Sequence, residues 1–148
     1  MTNSFAFYVS VLCKQFTQYC SERLSEMNVI YGQLFIIIFI GKKKVCSSKE
    51  ISLALRLDAG YLTRTISKLI ENGFLIQKKS EKDKRSNIIS LTTKGRQIFE
   101  KSHDLFQEWD KLILGSLTDR EKQPLVELVQ KIIFSSKWKR SCENRQRK

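Results

Sequence analysis

The sequence predicts a mainly α-helical chain that carries one small β-hairpin. Three observations predict it. Apolar residues recur at spacings of three and four over most of the chain, the period of an amphipathic helix. Two helix-start signals, at Ser47 and Asp58, follow each other closely, and Gly73 closes the second segment. Directly after that glycine, two short apolar runs flank a loop dense in lysine, as in a hairpin.

Residues 4–27 read as the first helix. Phe5, Tyr8, Val9, Leu12, Phe16 and Tyr19 share a face, and the stretch holds no glycine or proline. Residues 31–40 are ambiguous. Leu34 to Ile40 is rich in strand formers, yet a fully buried helix has the same apolar run, and periodicity does not separate the two. Ser47 and Glu50 have the spacing of a capping box, so a short helix is expected from there to about Leu55. Arg56 and Leu57 form a tight connection. Asp58 then caps a second helix that runs to Asn72. A short helix, a tight turn and a second helix make a helix-turn-helix.

Phe74–Lys78 reads as a strand, 79–87 as a charged loop and Ile88–Leu91 as the returning strand, so the hairpin has the form of a wing. A long helix starts at Thr92, with Ile98, Leu105 and Leu112 repeating at seven, as do Phe99, Phe106 and Ile113. Thr118 and Glu121 form a second capping box, and an amphipathic helix follows to about Trp138. Pro124 lies inside it and removes one backbone hydrogen bond, so a bend or a late start is expected.

Charge narrows the function. The 148 residues carry 27 Lys and Arg against 15 Asp and Glu, a formal net charge of +12. Residues 1–41 hold two basic and two acidic residues, residues 42–96 hold 14 and 5, and residues 97–148 hold 11 and 8. A basic middle module and a basic end between neutral flanks point to a dedicated polyanion-binding surface. The four cysteines, at 13, 20, 46 and 142, have no metal-ligand spacing, and His103 is the sole histidine. No cofactor or metal is expected. No nucleophile motif, phosphate loop or carboxylate pair suggests an enzyme. The longest apolar run, Leu34–Ile40, is far short of the ~20 residues that span a bilayer. No signal peptide is expected from the first residues, and a membrane-surface role lacks a long aromatic-rich face opposite the basic stretches. The chain is expected to be soluble, cytoplasmic and reduced.

In the helix from Asp58, Leu62, Ile66, Leu69 and Ile70 mark the buried face. The opposite face is expected to present Gly60, Tyr61, Arg64, Thr65 and Lys68, with Thr63 and Ser67 at its margins. Arg64 can make two hydrogen bonds to a guanine edge, and Thr65 can touch a thymine methyl or a phosphate. Lys68 suits a phosphate, and Gly60 allows a close approach of the helix start to an anion. In the hairpin loop, Lys82 and Lys84 suit phosphates and Arg85 suits a minor groove. Asp83 is expected to hold Arg85 or another base in position. Together these residues suit double-stranded DNA, although a non-specific nucleic-acid binder would use the same loop and tail.

The pattern Asp-x-Arg-Ser-x4-Leu-Thr-x2-Gly-Arg, carried by Asp83, Arg85, Ser86, Leu91, Thr92, Gly95 and Arg96, resembles the wing signature of the multiple-antibiotic-resistance-regulator (MarR) family. Residues 61–75 resemble that family's recognition helix and its exit, and residues 117–121 the start of its last helix. The resemblance implies a winged helix-turn-helix protomer with N- and C-terminal helices forming a dimerisation region, and it makes residues 31–40 a buried helix. The division it suggests is 1–41 for N-terminal dimerisation and support, 42–96 for the DNA-binding module, 97–138 for C-terminal dimerisation helices and 139–148 for a basic tail. That tail could reach DNA or be disordered. The family implies a homodimer on a palindromic operator, usually a repressor, released by a small aromatic ligand in many members and by oxidation of a first-helix cysteine in others. Cys13 would be the cysteine in the second case. Phe16, Tyr19 and Phe35 could line a ligand pocket or simply fill the core.

Overall fold

The computed structural model describes residues 4–135, so the basic tail from 139 lies outside the described residues. The chain divides into two compact units, with the boundary between Trp109 and Asp110. The first contains α1 (Phe5–Ser25), α2 (Tyr31–Lys43), β1 (Val45–Cys46), α3 (Ser48–Leu55), α4 (Ala59–Glu71), β2 (Leu75–Lys79), β3 (Asn87–Leu91) and most of α5 (Thr93–Ile113). The second contains the end of α5 and α6 (Asp119–Ser135).

The apolar run at 34–40 is a helix. Leu34, Ile36, Ile37 and Ile40 are all fully buried, on more than one face, so α2 is the central core helix and needs no polar side. Its start is tied by the Gln33 side-chain carbonyl, which accepts from the Ile30 N–H at 3.1 Å. Around α2 pack Leu24 of α1, Ile51 of α3, Leu62 and Leu69 of α4, Phe74, Ile89 of β3, and Ile98 and Leu105 of α5.

The helix-turn-helix forms as its caps dictate. The Ser47 hydroxyl accepts from the Glu50 N–H, and the Glu50 carboxylate accepts from the Ser47 N–H at 2.7 Å. Arg56 takes the left-handed conformation, with φ 53, and this turns the chain into α4. Asp58 Oδ2 accepts from the Tyr61 N–H at 2.9 Å. Gly73, with φ 78, ends the helix where a side chain would be strained, and the Phe74 N–H reaches back to the Leu69 carbonyl.

The sheet is antiparallel with strand order β1-β3-β2. β2 and β3 pair from Leu75 opposite Leu91 to Lys79 opposite Asn87, which makes the wing. The sequence gives no sign of β1. It is two residues long, pairs Val45 with Ser90 and Cys46 with Ile89, and sits on the far edge of β3.

The residues of the signature build the junction from wing to α5. The Thr92 N–H donates to the Phe74 carbonyl, the Thr92 hydroxyl donates to the Gly73 carbonyl, and the same hydroxyl accepts from the Gly95 N–H at 3.0 Å. A side chain on Gly95 would drive its Cβ into the Phe74 carbonyl oxygen, so only glycine fits. In the second unit, the Thr118 N–H donates to the Glu121 carboxylate at 2.8 Å, and α6 begins at Asp119. The late start expected from Pro124 therefore does not occur; the proline is accommodated within the helix.

Candidate nucleic-acid interface

The faces of α4 are set by Leu62, Thr65, Ile66 and Leu69, all buried. This leaves Gly60, Tyr61, Thr63, Arg64, Ser67 and Lys68 exposed. Thr65 is the correction to the sequence reading. It is only 8% exposed, and its hydroxyl donates to the Tyr61 carbonyl at 2.9 Å. Positions three, four and seven after Leu62 are 65, 66 and 69, so helical spacing alone puts Thr65 inward. Its polar side chain had suggested otherwise. The hydroxyl proton is committed within its own helix, and burial keeps the side chain from the surface.

Tyr61 sits at the edge of the exposed face. Its hydroxyl lies over Gly32 of α2, where a Cβ would come within 2.8 Å of the oxygen. Tyr61 is thus partly a packing residue between α4 and α2. Thr63 uses its hydroxyl on the Ala59 carbonyl at 2.8 Å.

The wing loop is held by a ring of short hydrogen bonds. The Ser80 N–H donates to the Ser86 carbonyl at 2.9 Å, and the Ser86 N–H to the Asp83 carbonyl at 3.0 Å. Asp83 Oδ1 accepts from the Arg85 backbone N–H at 3.0 Å. Asp83 therefore acts on the loop backbone, not on the Arg85 guanidinium. Lys82, Lys84 and Arg85 are exposed, and none makes an ion pair among the described residues. Their charge is left for a partner.

Sequence reasoning located the start of α3 but did not set it beside the exposed face of α4. Ser48 and Lys49 line a groove of about 250 Å³ with Ala59 and Thr63 of α4. The capping box at Ser47 was the available signal, because it brings the free N–H groups of a helix start, and Lys49, beside the exposed face of α4.

Other candidates fall elsewhere. Phe16, Tyr19, Tyr31, Phe35, Phe106 and Trp109 stack into one aromatic cluster of α1, α2 and α5, with ring centroids 5.0–6.5 Å apart. Phe16, Tyr19 and Phe35 are thus packed against other rings. A separate cavity of about 420 Å³ between α2 and α5 is walled by Ile38, Phe99 and Phe106, with Lys42 and His103 also lining it. Cys13 is exposed, whereas Cys20 and Cys46 are buried. Burial pushes both buried thiols up to about 11. Among the described residues, no group of His, Cys, Asp and Glu could hold a metal ion, and no helix is long and apolar enough to cross a membrane.

Comparison with known proteins agrees with this geometry. The transcriptional regulator SarA/Rot family matches residues 18–102. The HTH-type transcriptional regulator BilQ of Clostridium symbiosum is 42% identical over 132 residues, covering 89% of this chain and 92% of that protein. The reduced form of Escherichia coli MarR superposes with a TM-score of 0.82 at 25% identity, over 89% of this chain and 98% of that one. A mutant of the same protein complexed with operator DNA gives a TM-score of 0.75 at 25% identity, over 86% and 91%.

Proposed function

The chain belongs to the MarR family of winged-helix transcriptional regulators, and we propose that it is a sequence-specific repressor that binds a palindromic operator as a homodimer. The observation that carries this reading is the exposed face of α4, with Arg64 and Lys68, held by buried residues on the opposite face. It is accompanied by a wing whose cations make no ion pair among the described residues. The solved operator complex of a relative has the same fold.

In this reading residues 42–96 are the DNA-binding module, and residues 1–41 and 97–138 form the dimer. Arg64 reads a base edge, with Tyr61, Thr63 and Gly60 framing it. Lys68, Lys82 and Lys84 bind phosphates and set affinity, and Arg85 enters the minor groove. Asp83 shapes the loop that presents Arg85. Two-fold symmetry places two α4 helices in successive major grooves about 34–36 Å apart.

Exposed apolar side chains support the dimer. Phe5, Val9 and Leu12 on α1 are exposed, and α6 buries none of its residues while exposing Leu125, Leu128, Val129, Ile132 and Ile133. A second copy is the occupant that homo-oligomeric symmetry favours. Release by a small ligand draws support from the apolar cavity between α2 and α5, whose volume of about 420 Å³ suits a small aromatic molecule. Oxidation of Cys13 is the second reading, favoured by its exposure where Cys20 and Cys46 are shielded. Organic peroxide that still releases DNA from a Cys13→Ser variant would remove it.

Selection of bound sequences from a random duplex pool tests the proposal. It predicts enrichment of a near-palindrome with half-sites one helical turn apart. Recovery of unrelated sequences would instead identify a non-specific nucleic-acid binder.

A further inference from the structure

The wing sheet has one face on the core and one face open. Cys46, Leu75 and Ile89 belong to the core, and α2 packs against β1 and β3 on that side. Successive strand residues alternate between faces, so Val45, Ile76, Lys78, Ile88 and Ser90 point the other way. The register sets Val45 opposite Ser90, and Ser90 opposite Ile76, in one row across all three strands. Lys78 lies opposite Ile88 in the next row on the same face. Val45 is 49% exposed and Ile76 41%, while Ile88 and Ser90 are half-buried.

The solvated face of an antiparallel sheet is ordinarily polar. Here Val45, Ile76 and Ile88 make it largely apolar. Adjacent strands lie about 4.8 Å apart, so Val45 and Ile76 stand roughly 10 Å apart with the small Ser90 between them. The result is a shallow trough with apolar walls, and its rim is cationic. Lys42 and Lys43 end α2, Lys44 with φ 69 turns the chain into Val45, and Lys78 shares the open face with Ile76. All four lysines are exposed, and none makes an ion pair among the described residues. The three strands contain no acidic residue. Ile76 is three residues, roughly 10 Å, from the end of β2 where the wing loop begins. The trough is therefore set back from Lys82, Lys84 and Arg85.

We propose that the open face of the wing sheet docks an acidic segment of a partner protein. Apolar side chains of that segment fill the trough between Val45 and Ile76, and its carboxylates meet Lys44 and Lys78. Charge complementarity selects this occupant. A DNA backbone would satisfy the lysines and leave Val45, Ile76 and Ile88 unmatched. A second copy of this chain, at +12, would bring like charge against like. Because the trough is set back from the loop cations, the partner would sit on the protein while it holds DNA. Only that consequence rests on the DNA-binding reading of α4 and the wing; the docking face itself does not.

The test uses the full chain without DNA. Amide proton–nitrogen spectra are followed while a synthetic peptide alternating Glu with Val and Ile is added at constant ionic strength. A control peptide carries Lys in place of each Glu. Saturable shifts are expected at the amides of Val45, Ile76, Ile88 and Ser90 with the acidic peptide and not with the control. Val45→Thr combined with Ile76→Thr should weaken the acidic peptide about tenfold, through lost apolar contact. Both positions are exposed and threonine suits a strand, so this variant should fold. Lys78→Gln should weaken it severalfold, with less dependence on salt. Absence of saturable shifts overturns the proposal, as does equal binding of the two peptides or unchanged affinity in both variants. Shifts at these four amides on adding a random duplex alone also overturn it, and assign the face to DNA. Shifts that follow protein concentration without peptide overturn it as well, and assign the face to a second copy. Acidic-peptide binding in a protein that prefers no duplex would sink the operator reading and leave the docking face standing.

Discussion

Single residues decide which way the reading head faces. Thr65 looks like a DNA contact by residue type and is a buried helix residue by position. Helical spacing from Leu62 carried the right answer, so this part of the site was legible in the sequence and was obscured by chemical type. Thr65→Val should leave operator affinity unchanged in a binding titration and alter stability by less than about 1 kcal/mol, because only an intrahelical hydroxyl bond is lost. A marked loss of base preference would return Thr65 to the interface. Gly95 is the opposite case, a residue whose place in the signature has a purely packing cause. Gly95→Ala forces backbone apart at the Phe74 carbonyl and should cost roughly 3 kcal/mol in denaturant unfolding, at the upper end for overpacking. The structure also limits Asp83 to shaping the loop backbone, a role the sequence could not separate from pairing with the Arg85 side chain, since both need the same residue at the same spacing.

Among the helices and strands, caps were the most legible signal. Ser47, Asp58, Gly73 and Thr118 mark helix ends within a residue of where they fall. What they could not reveal was β1, whose two residues are too few to show alternation and whose pairing depends on β3, far along the chain. Nor could composition choose between strand and helix for α2, because a helix buried on all sides has no polar stripe. The two capping boxes make a pH prediction. Backbone and hydroxyl hydrogen bonds from Ser47 hold the Glu50 carboxyl below its ordinary value, and those from Thr118 do the same to Glu121. A carboxyl with a lowered folded pKa stabilises above its unfolded pKa, and that contribution is lost as pH falls through the folded value. Thermal unfolding across the acid range should therefore lose part of its pH dependence below the ordinary glutamate range in Glu50→Gln. An identical profile in wild type and variant would refute the assignment.

For the molecule taken whole, the charge partition pointed to the module that holds α3, α4 and the wing, and the apolar faces point to self-association. α6 has an amphipathic sequence and no buried residue, and in the proposed homodimer its apolar face would meet a second copy. Leu128→Glu with Ile132→Glu should convert a dimer to a monomer in sedimentation equilibrium and abolish tight operator binding with it, since a single half-site retains little affinity. A variant that stays dimeric would move the interface away from α6.

If Arg64 reads sequence while the wing lysines supply affinity, the two roles separate in one titration. Wild type, Arg64→Ala and Lys84→Ala are each titrated against the selected duplex and a scrambled one at about 0.15 M salt. Wild type should prefer its site by at least about a thousandfold. Arg64→Ala should lose about 1–3 kcal/mol on the selected duplex alone. Lys84→Ala should weaken both duplexes alike and lower the salt slope by roughly one. Equal affinity of wild type for the two duplexes, or an Arg64→Ala protein that discriminates as well as wild type, would rule out this division of roles.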